Sequence, residues 1–261
     1  MRIVVFGAGY WGKNYVRELS GNLVAVVEPD EKRAEYIKQT FNVPVYAEAP
    51  DIDYDASIIV TPPEHHIKLA YQEVQKGKLI LLEKPFATCV EEYLHLRNYR
   101  KQVMCGLIYL YNPGIIQLKK VLETTPLHHC FSRRTNNGPV REWQSVLWDL
   151  ASHDIAIFNY MFGQAPYSAE RMGDRDWTVL NLFYPTVNAV IYVSWHGGPK
   201  HRKIELVPAD SEERIIFDDV TTVWEQTPLR LMLDDFLSGE WDDKAGYDAG
   251  INVVSVLDSL S

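Results

Sequence analysis

The sequence predicts two domains: an α/β, doubly wound and mostly parallel sheet at the N-terminus, then an α+β domain built on a mostly antiparallel sheet. Three observations carry this. Short aliphatic runs alternate with helix-like stretches from Arg2 to Gly106, the pattern of βαβ units. A glycine-spaced turn, "GAGYWG", follows the first run directly. From Ser168 to Glu225 strand-like segments instead succeed one another across short turns such as "YPT" and "HGGP", as antiparallel neighbours do.

Taken in order, strands are expected at Arg2–Phe6, Leu23–Val27, Ala56–Val60, Lys78–Leu82 and Gln102–Gly106. Helices are expected between them at Trp11–Leu19, Asp30–Phe41, Glu64–Lys76 and Val90–Arg100. The aliphatic runs are continuous, as strands covered on both faces require. The helix at Glu64 follows a Pro-Pro pair and stops at Gly77, residues suited to a start and a stop. The connection Val45–Asp55 is short and acidic, so a crossover helix is expected to be missing there. Beyond Asn112 come a helix at Ile115–Glu123, a strand at Leu127–Arg134, a "TNNGPV" loop and a strongly apolar helix from Val146 to Phe162. Two helices, Leu229–Leu237 and Ala249–Leu260, close the chain. The change of character places one domain over 1–106 and the other over 107–261, with the last helix free to pack back on the first.

Composition narrows the function. With 261 residues, 46% hydrophobic and 23% charged, the chain has the make-up of an ordinary globular protein. A net charge of −9 argues against nucleic acid or an anionic membrane surface as partner. No apolar run approaches the ~18 residues of a membrane span, and the N-terminal run is too short for a signal peptide. The three cysteines, Cys89, Cys105 and Cys130, are unclustered, so no metal site is expected and reduced, buried thiols in a cytoplasmic protein are.

Gly7, Gly9 and Gly12 follow the first strand and open the first helix. In that context the first glycine permits the tight turn, the second lets backbone approach a pyrophosphate, and the third allows close helix–strand packing. Glu28 ends the second strand about 20 residues on, where an acid takes the ribose hydroxyls of a dinucleotide. Its charge repels a 2′-phosphate and favours NAD, although Arg33 nearby keeps NADP open. "TPPEHH" (Thr61–His66) follows the third of these strands, at the carboxyl edge where such sheets bind ligands. His65 and His66 cannot share a face, so at most one addresses the cofactor. In "LILLEKPFA" an acid and a base, Glu83 and Lys84, end a buried strand, and Pro85 biases Lys84 to an extended backbone. Burial of Glu83 requires a cation or a backbone amide as partner. Asp149 and His153 are four apart in an expected helix, hence on one face, where a carboxylate orients an imidazole and raises its basicity. An ordinary polar pair on an amphipathic helix fits the spacing equally well. Asp154 is expected to face solvent or to support the pair.

Together "GAGYWG", "TPPEHH", "EKP" and "DLASH" resemble the glucose–fructose oxidoreductase/inositol dehydrogenase (Gfo/Idh/MocA-type) family of NAD(P)-dependent sugar oxidoreductases. "YLYNPG", "RTNNGPVR" and "SWHGGPKHRKIEL" are similar to its nucleotide-sugar 3-dehydrogenase branch. The resemblance implies Lys84, His153 and Asp149 as catalytic residues. It implies a cofactor site that adds Tyr10, Trp11, Thr61, Pro62, His66 and Glu83 to Gly7, Gly9, Gly12, Glu28 and Lys84. Substrate contacts are expected from Asn112, Arg133, Arg141 and Trp148, and Arg134, Lys200 and Arg202 are further cations for a diphosphate. Leu107 stands where nucleotide-sugar relatives often carry His. The function expected is hydride transfer between nicotinamide and a sugar ring carbon, C3 of a UDP-N-acetylglucosamine-like substrate, in a homodimer or homotetramer. The alternatives are a cofactor-binding regulator without chemistry, and a reductase of a 3-ketosugar or another carbonyl compound.

Overall fold

The computed structural model describes residues 1–136, 138, 140, 144–196, 198–219 and 224–261. It divides into two compact units, residues 1–106 with 232–251, and residues 107–231 with 252–261.

The first unit is built on a parallel sheet of β1 (Ile3–Phe6), β2 (Leu23–Val27), β3 (Val45–Tyr46), β4 (Ala56–Ile59), β5 (Leu79–Leu82) and β6 (Val103–Cys105). The strands lie in the order β3-β2-β1-β4-β5-β6. The chain therefore winds outward in one direction through β3 and returns past β1 to wind in the other. β1 and β4 are buried at every position, which is why their sequences are apolar on both faces. The crossovers are α1 (Gly12–Glu18), α2 (Glu31–Phe41), α3 (His66–Gln75) and α4 (Val90–Leu94). Asp30 caps α2 by accepting from the Arg33 amide at 2.8 Å, and Asn42 ends it at φ 50°, a left-handed stop that Asn tolerates. Between β3 and β4 no helix forms, so that crossover is irregular chain, as its short acidic sequence suggested. The helix expected from Glu64 starts two residues later, after a single tight turn at Pro63–His65, and the one expected over Val90–Arg100 breaks after Leu94.

The second unit carries β7 (Leu127–Thr135), β8 (Ser168–Gly173), β9 (Trp177–Phe183), β10 (Asn188–Ser194), β11 (His201–Pro208) and β12 (Ile215–Asp218). Their order is β12-β11-β7-β10-β9-β8, antiparallel throughout except for the parallel pair β7–β10. Thr178, Leu180 and Leu182 of β9 are buried while their neighbours are not, the period-two signature of a sheet covered on one face. That inner face and the mutually packed helices α5 (Pro113–Leu122) and α6 (Ser152–Phe162) supply the buried residues of this unit. The apolar helix expected to run unbroken from Val146 differs in its first turn. Leu147–Ala151 form a wider π turn packed against β10, and regular helix begins only at Ser152. α7 (Pro228–Ser238) and α8 (Tyr247–Ser259) end the chain. Cys105 and Cys130 are buried free thiols, but Cys89 is only half-buried, at the start of α4, where the sequence suggested full burial.

Candidate active site

In the first unit the glycine turn has the shape its spacing demands. Gly7 sits at φ 96°, and a Cβ there would lie 2.8 Å from the Val60 carbonyl oxygen. A Cβ on Gly12 would lie 2.2 Å from the Gly7 carbonyl oxygen, so helix and strand approach more closely than any side chain allows. Gly9 faces open space and Tyr10 projects outward, 90% exposed.

Glu28, 3% exposed, fastens this turn to the end of β2. Its Oε2 accepts from the Ala8 amide at 2.9 Å, and its Oε1 from the Asp30 amide at 3.0 Å and Arg33 Nη2 at 2.9 Å. Burial alone would raise its pKa, but the bonds from Arg33, Ala8 and Asp30 outweigh it and hold the carboxyl below its ordinary range. A carboxylate accepts about four hydrogen bonds, so three protein donors leave Oε2 room for one ribose hydroxyl.

Glu83 answers how an acid survives at the end of a buried strand. Its Oε1 accepts from Trp11 Nε1 at 2.8 Å and from the Tyr15 hydroxyl, while Oε2 accepts from the Lys84 amide at 3.0 Å. A backbone amide was one expected partner; Trp11, just before α1, and Tyr15, within it, add two neutral donors, and the Lys84 cation acts on the carboxylate as well. A Cβ on Gly106, the residue after β6, would come within 2.9 Å of Oε1, so glycine there leaves the carboxylate its space. Burial pushes the Glu83 carboxyl upward, opposed by Tyr15, Trp11 and Lys84. Lys84 leaves the same carboxyl edge one residue later. His66 ties this edge together: Nδ1 lies 2.8 Å from the Pro85 carbonyl oxygen and Nε2 2.7 Å from that of Thr61. Each nitrogen of the His66 ring, 1% exposed, thus faces a backbone carbonyl, and a neutral ring donates to one of the two. Burial holds its pKa below the usual imidazole range despite those two carbonyls. The Thr61 hydroxyl is buried without a hydrogen-bond partner among the described residues, an orphan acceptor and donor at this edge of the sheet.

In the second unit Asp149 lies in the π turn and its Oδ2 accepts from Trp195 Nε1, at the end of β10, at 3.0 Å. His153 packs edge-on against Tyr109, ring centroids 4.8 Å apart. Asp154 does not face solvent. At 2% exposure it forms a buried ion pair with Arg134, Nε to Oδ2 2.6 Å, and accepts from Ser132 at 2.6 Å. Strand alternation forces this separation of neighbours: Arg134 turns inward to α6 while Arg133 lies on the opposite sheet face, over the Tyr192 ring. Asn112 caps α5 by accepting from the Gly114 amide at 2.9 Å and donates to Asp219 Oδ1 at 2.6 Å. Trp148 Nε1 donates to the Ser261 hydroxyl at 2.9 Å. Arg141 lies outside the described residues. Tyr15, Tyr109 and Trp195 were not singled out from sequence, although Tyr109 and Trp195 stand inside the "YLYNPG" and "SWHGGP" stretches.

A close glycine turn, an acid fixed at the end of β2 and an orphan hydroxyl at the end of β4 are the features of a dinucleotide-binding fold. Residues 1–109 match the GFO_IDH_MocA family model, described as an oxidoreductase family with an NAD-binding Rossmann fold. Inositol 2-dehydrogenase 1 of Saccharopolyspora erythraea is 25% identical over 232 residues, 76% of this chain and 69% of that protein. The scyllo-inositol 2-dehydrogenase (NAD(+)) of Bacillus subtilis is 28% identical over 185 residues, 62% of this chain and 54% of that protein. Among solved structures, UDP-N-acetylglucosamine 3-dehydrogenase from Acidithiobacillus ferrooxidans superimposes with a TM-score of 0.86 at 17% identity, covering 100% of this chain and 96% of that one. At that identity the likeness is one of fold. Among the described residues no cluster of metal ligands occurs, and no helix is long and apolar enough to cross a membrane.

Proposed function

We propose that this protein is an NAD-dependent dehydrogenase acting on a ring carbon of a sugar, and more finely on C3 of a nucleotide sugar. The observation that carries the reading is Glu83, a buried carboxylate bonded to Trp11, Tyr15 and the Lys84 amide, which fixes a lysine at the carboxyl edge of an NAD-binding sheet. The residues present fit the cofactor. The Gly7–Gly12 turn would take the pyrophosphate, Glu28 a ribose hydroxyl, and the Thr61 hydroxyl supplies an unspent hydrogen bond. Bound NAD supplies the hydride acceptor.

The chain's own residues handle the proton and the developing charge. Lys84 stabilises the alkoxide and His153 takes the hydroxyl proton. Asp149, which accepts from Trp195 Nε1, holds the His153 imidazole. These roles rest on the resemblance to the family and on the retention of all three residues, which also favours an enzyme over a cofactor-binding regulator. The nucleotide-sugar reading is supported by the "YLYNPG" and "SWHGGPKHRKIEL" stretches, and the inositol dehydrogenases among the relatives make a free cyclitol its rival. The reading includes a homodimer or homotetramer: the outer face of the second sheet carries Phe131, Met172, Trp177 and Ile216 exposed, an apolar surface suited to a second copy.

The deciding experiment measures NADH formation with NAD and a panel of UDP-sugars, free sugars and myo-inositol. Turnover of a UDP-sugar above the others supports the finer reading. Turnover of myo-inositol at a matching rate refutes it and leaves the dehydrogenase standing. No turnover and no NAD binding refute both.

A further inference from the structure

Four cations of the second unit were open to a ligand anion from sequence alone among the described residues, and the structure removes two of them. Arg133 faces the other side of the sheet, and Arg134 is consumed by Asp154. Arg202 pairs directly across from Arg134 in the β11–β7 register, on the same inner face. Two guanidinium groups side by side repel unless something intervenes. Tyr109 does so: its ring holds Arg134 at 4.3 Å and Arg202 at 5.6 Å, and its edge meets His153. Arg202 is only partly neutralised. It makes one contact of 3.3 Å with Asp219, whose other oxygen is taken by Asn112. Lys200 adds a further positive charge, with Arg202, Asp219 and Arg134 around it and no ion pair among the described residues. Three cations therefore share two carboxylates, and one of the two left partly unpaired, Arg202, lies against the ring that touches His153.

We infer that Lys200 and Arg202 form an anion subsite that takes a carboxylate or phosphate carried on the reacting sugar ring itself. This rests on the proposed dehydrogenase reading and narrows its substrate class. Because Arg202 and His153 lean on the same tyrosine ring, an anion held there is one sugar ring away from the hydroxyl being oxidised, not at the far end of a long substituent. Partial burial, Arg202 and Arg134 together hold the Lys200 ammonium below the usual lysine range, with Asp219 opposing, the condition an incoming anion relieves. A hexuronate carboxylate and the phosphate of a glycosyl phosphate or nucleotide sugar share this chemistry.

The test has two readouts on the full chain. Calorimetry measures binding of glucose 1-phosphate and of glucuronate, each against glucose, to wild type, Lys200→Gln and Arg202→Gln. Lys200 is exposed, so Lys200→Gln retains the fold, and its melting temperature checks this. At least one anionic ligand should bind about tenfold more tightly than glucose, and each variant should lose most of that margin, as expected when one charge-assisted bond is removed. A carboxylate-only or phosphate-only response assigns the source. Kinetics with NAD then compare kcat/KM for UDP-sugars, glucuronate, glucose and myo-inositol. Anion binding lost in Lys200→Gln without any turnover keeps the subsite and refutes the dehydrogenase. Turnover in which neutral glucose or myo-inositol surpasses every anionic substrate, or in which Lys200→Gln leaves the preference unchanged, overturns the subsite and keeps the dehydrogenase.

Discussion

The carboxylate of Glu83 and the indole of Trp11 are joined by a hydrogen bond of 2.8 Å across 72 residues of sequence. That bond, with those from Tyr15 and the Lys84 amide, connects the helix that opens at the glycine turn to the segment that carries Lys84. The helix at the glycine turn and the segment of the lysine are thus parts of one hydrogen-bonded unit.

Glu83→Gln keeps the shape but sets an NH2 group, with two donors, against the N–H and O–H groups around it, so it should destabilise the protein by about 1–3 kcal/mol. Burial raises the native Glu83 pKa above its unfolded value. The native state therefore holds this proton more tightly, and the ionisation subtracts stability as pH rises from the unfolded pKa through the native one. Urea unfolding across that window should show the Glu83→Gln penalty shrinking with rising pH. A penalty that grows with pH contradicts the assignment.

Glu28 runs the other way. Its native pKa lies below the unfolded value, so its contribution is present above the unfolded pKa and is lost as pH falls through the native one. Glu28→Ala should flatten that acid-side loss, weaken NAD binding by about tenfold and relax discrimination against NADP, with Arg33 released from its carboxylate. Calorimetric titration with both nucleotides checks this. Tighter binding of NADP than NAD by wild type would show that Glu28 does not select the cofactor.

The Arg134–Asp154 pair is buried on both sides, so Asp154→Ala leaves an uncompensated guanidinium and should cost about 3–5 kcal/mol of stability. The double substitution Arg134→Met with Asp154→Leu should recover much of that loss, because the desolvation of both charges disappears with them. Chemical denaturation of the three proteins decides it. A double variant no more stable than Asp154→Ala rules out an electrostatic origin.

What the sequence made legible was local. The glycine turn and the place of Glu28 at the end of β2 could be read because spacing and strand context fix them within a few residues. The aliphatic runs of β1, β4 and β5 announced a sheet covered on both faces. Long-range pairings were not legible. Glu83 offers no hint that its partners are Trp11 and Tyr15, 72 and 68 residues earlier. Asp154 was read as a solvent-facing acid or a support for Asp149 and His153, because its partner Arg134 lies on β7, 20 residues earlier. The π turn at Leu147–Ala151 is set by packing against β10, with the Trp195–Asp149 bond beside it, and the apolar run from Val146 carries no mark of it.

The central claim is that Lys84 carries chemistry and does not merely anchor its loop. Lys84→Met retains the aliphatic stem and removes the charge, so the measurement is kcat of this variant on the best substrate of the panel, beside its melting temperature and NAD affinity. The account predicts near-wild-type folding and NAD binding with turnover reduced at least ~100-fold, the low end for loss of one acid–base or oxyanion group. Near-normal turnover in a folded, NAD-binding Lys84→Met protein would contradict it.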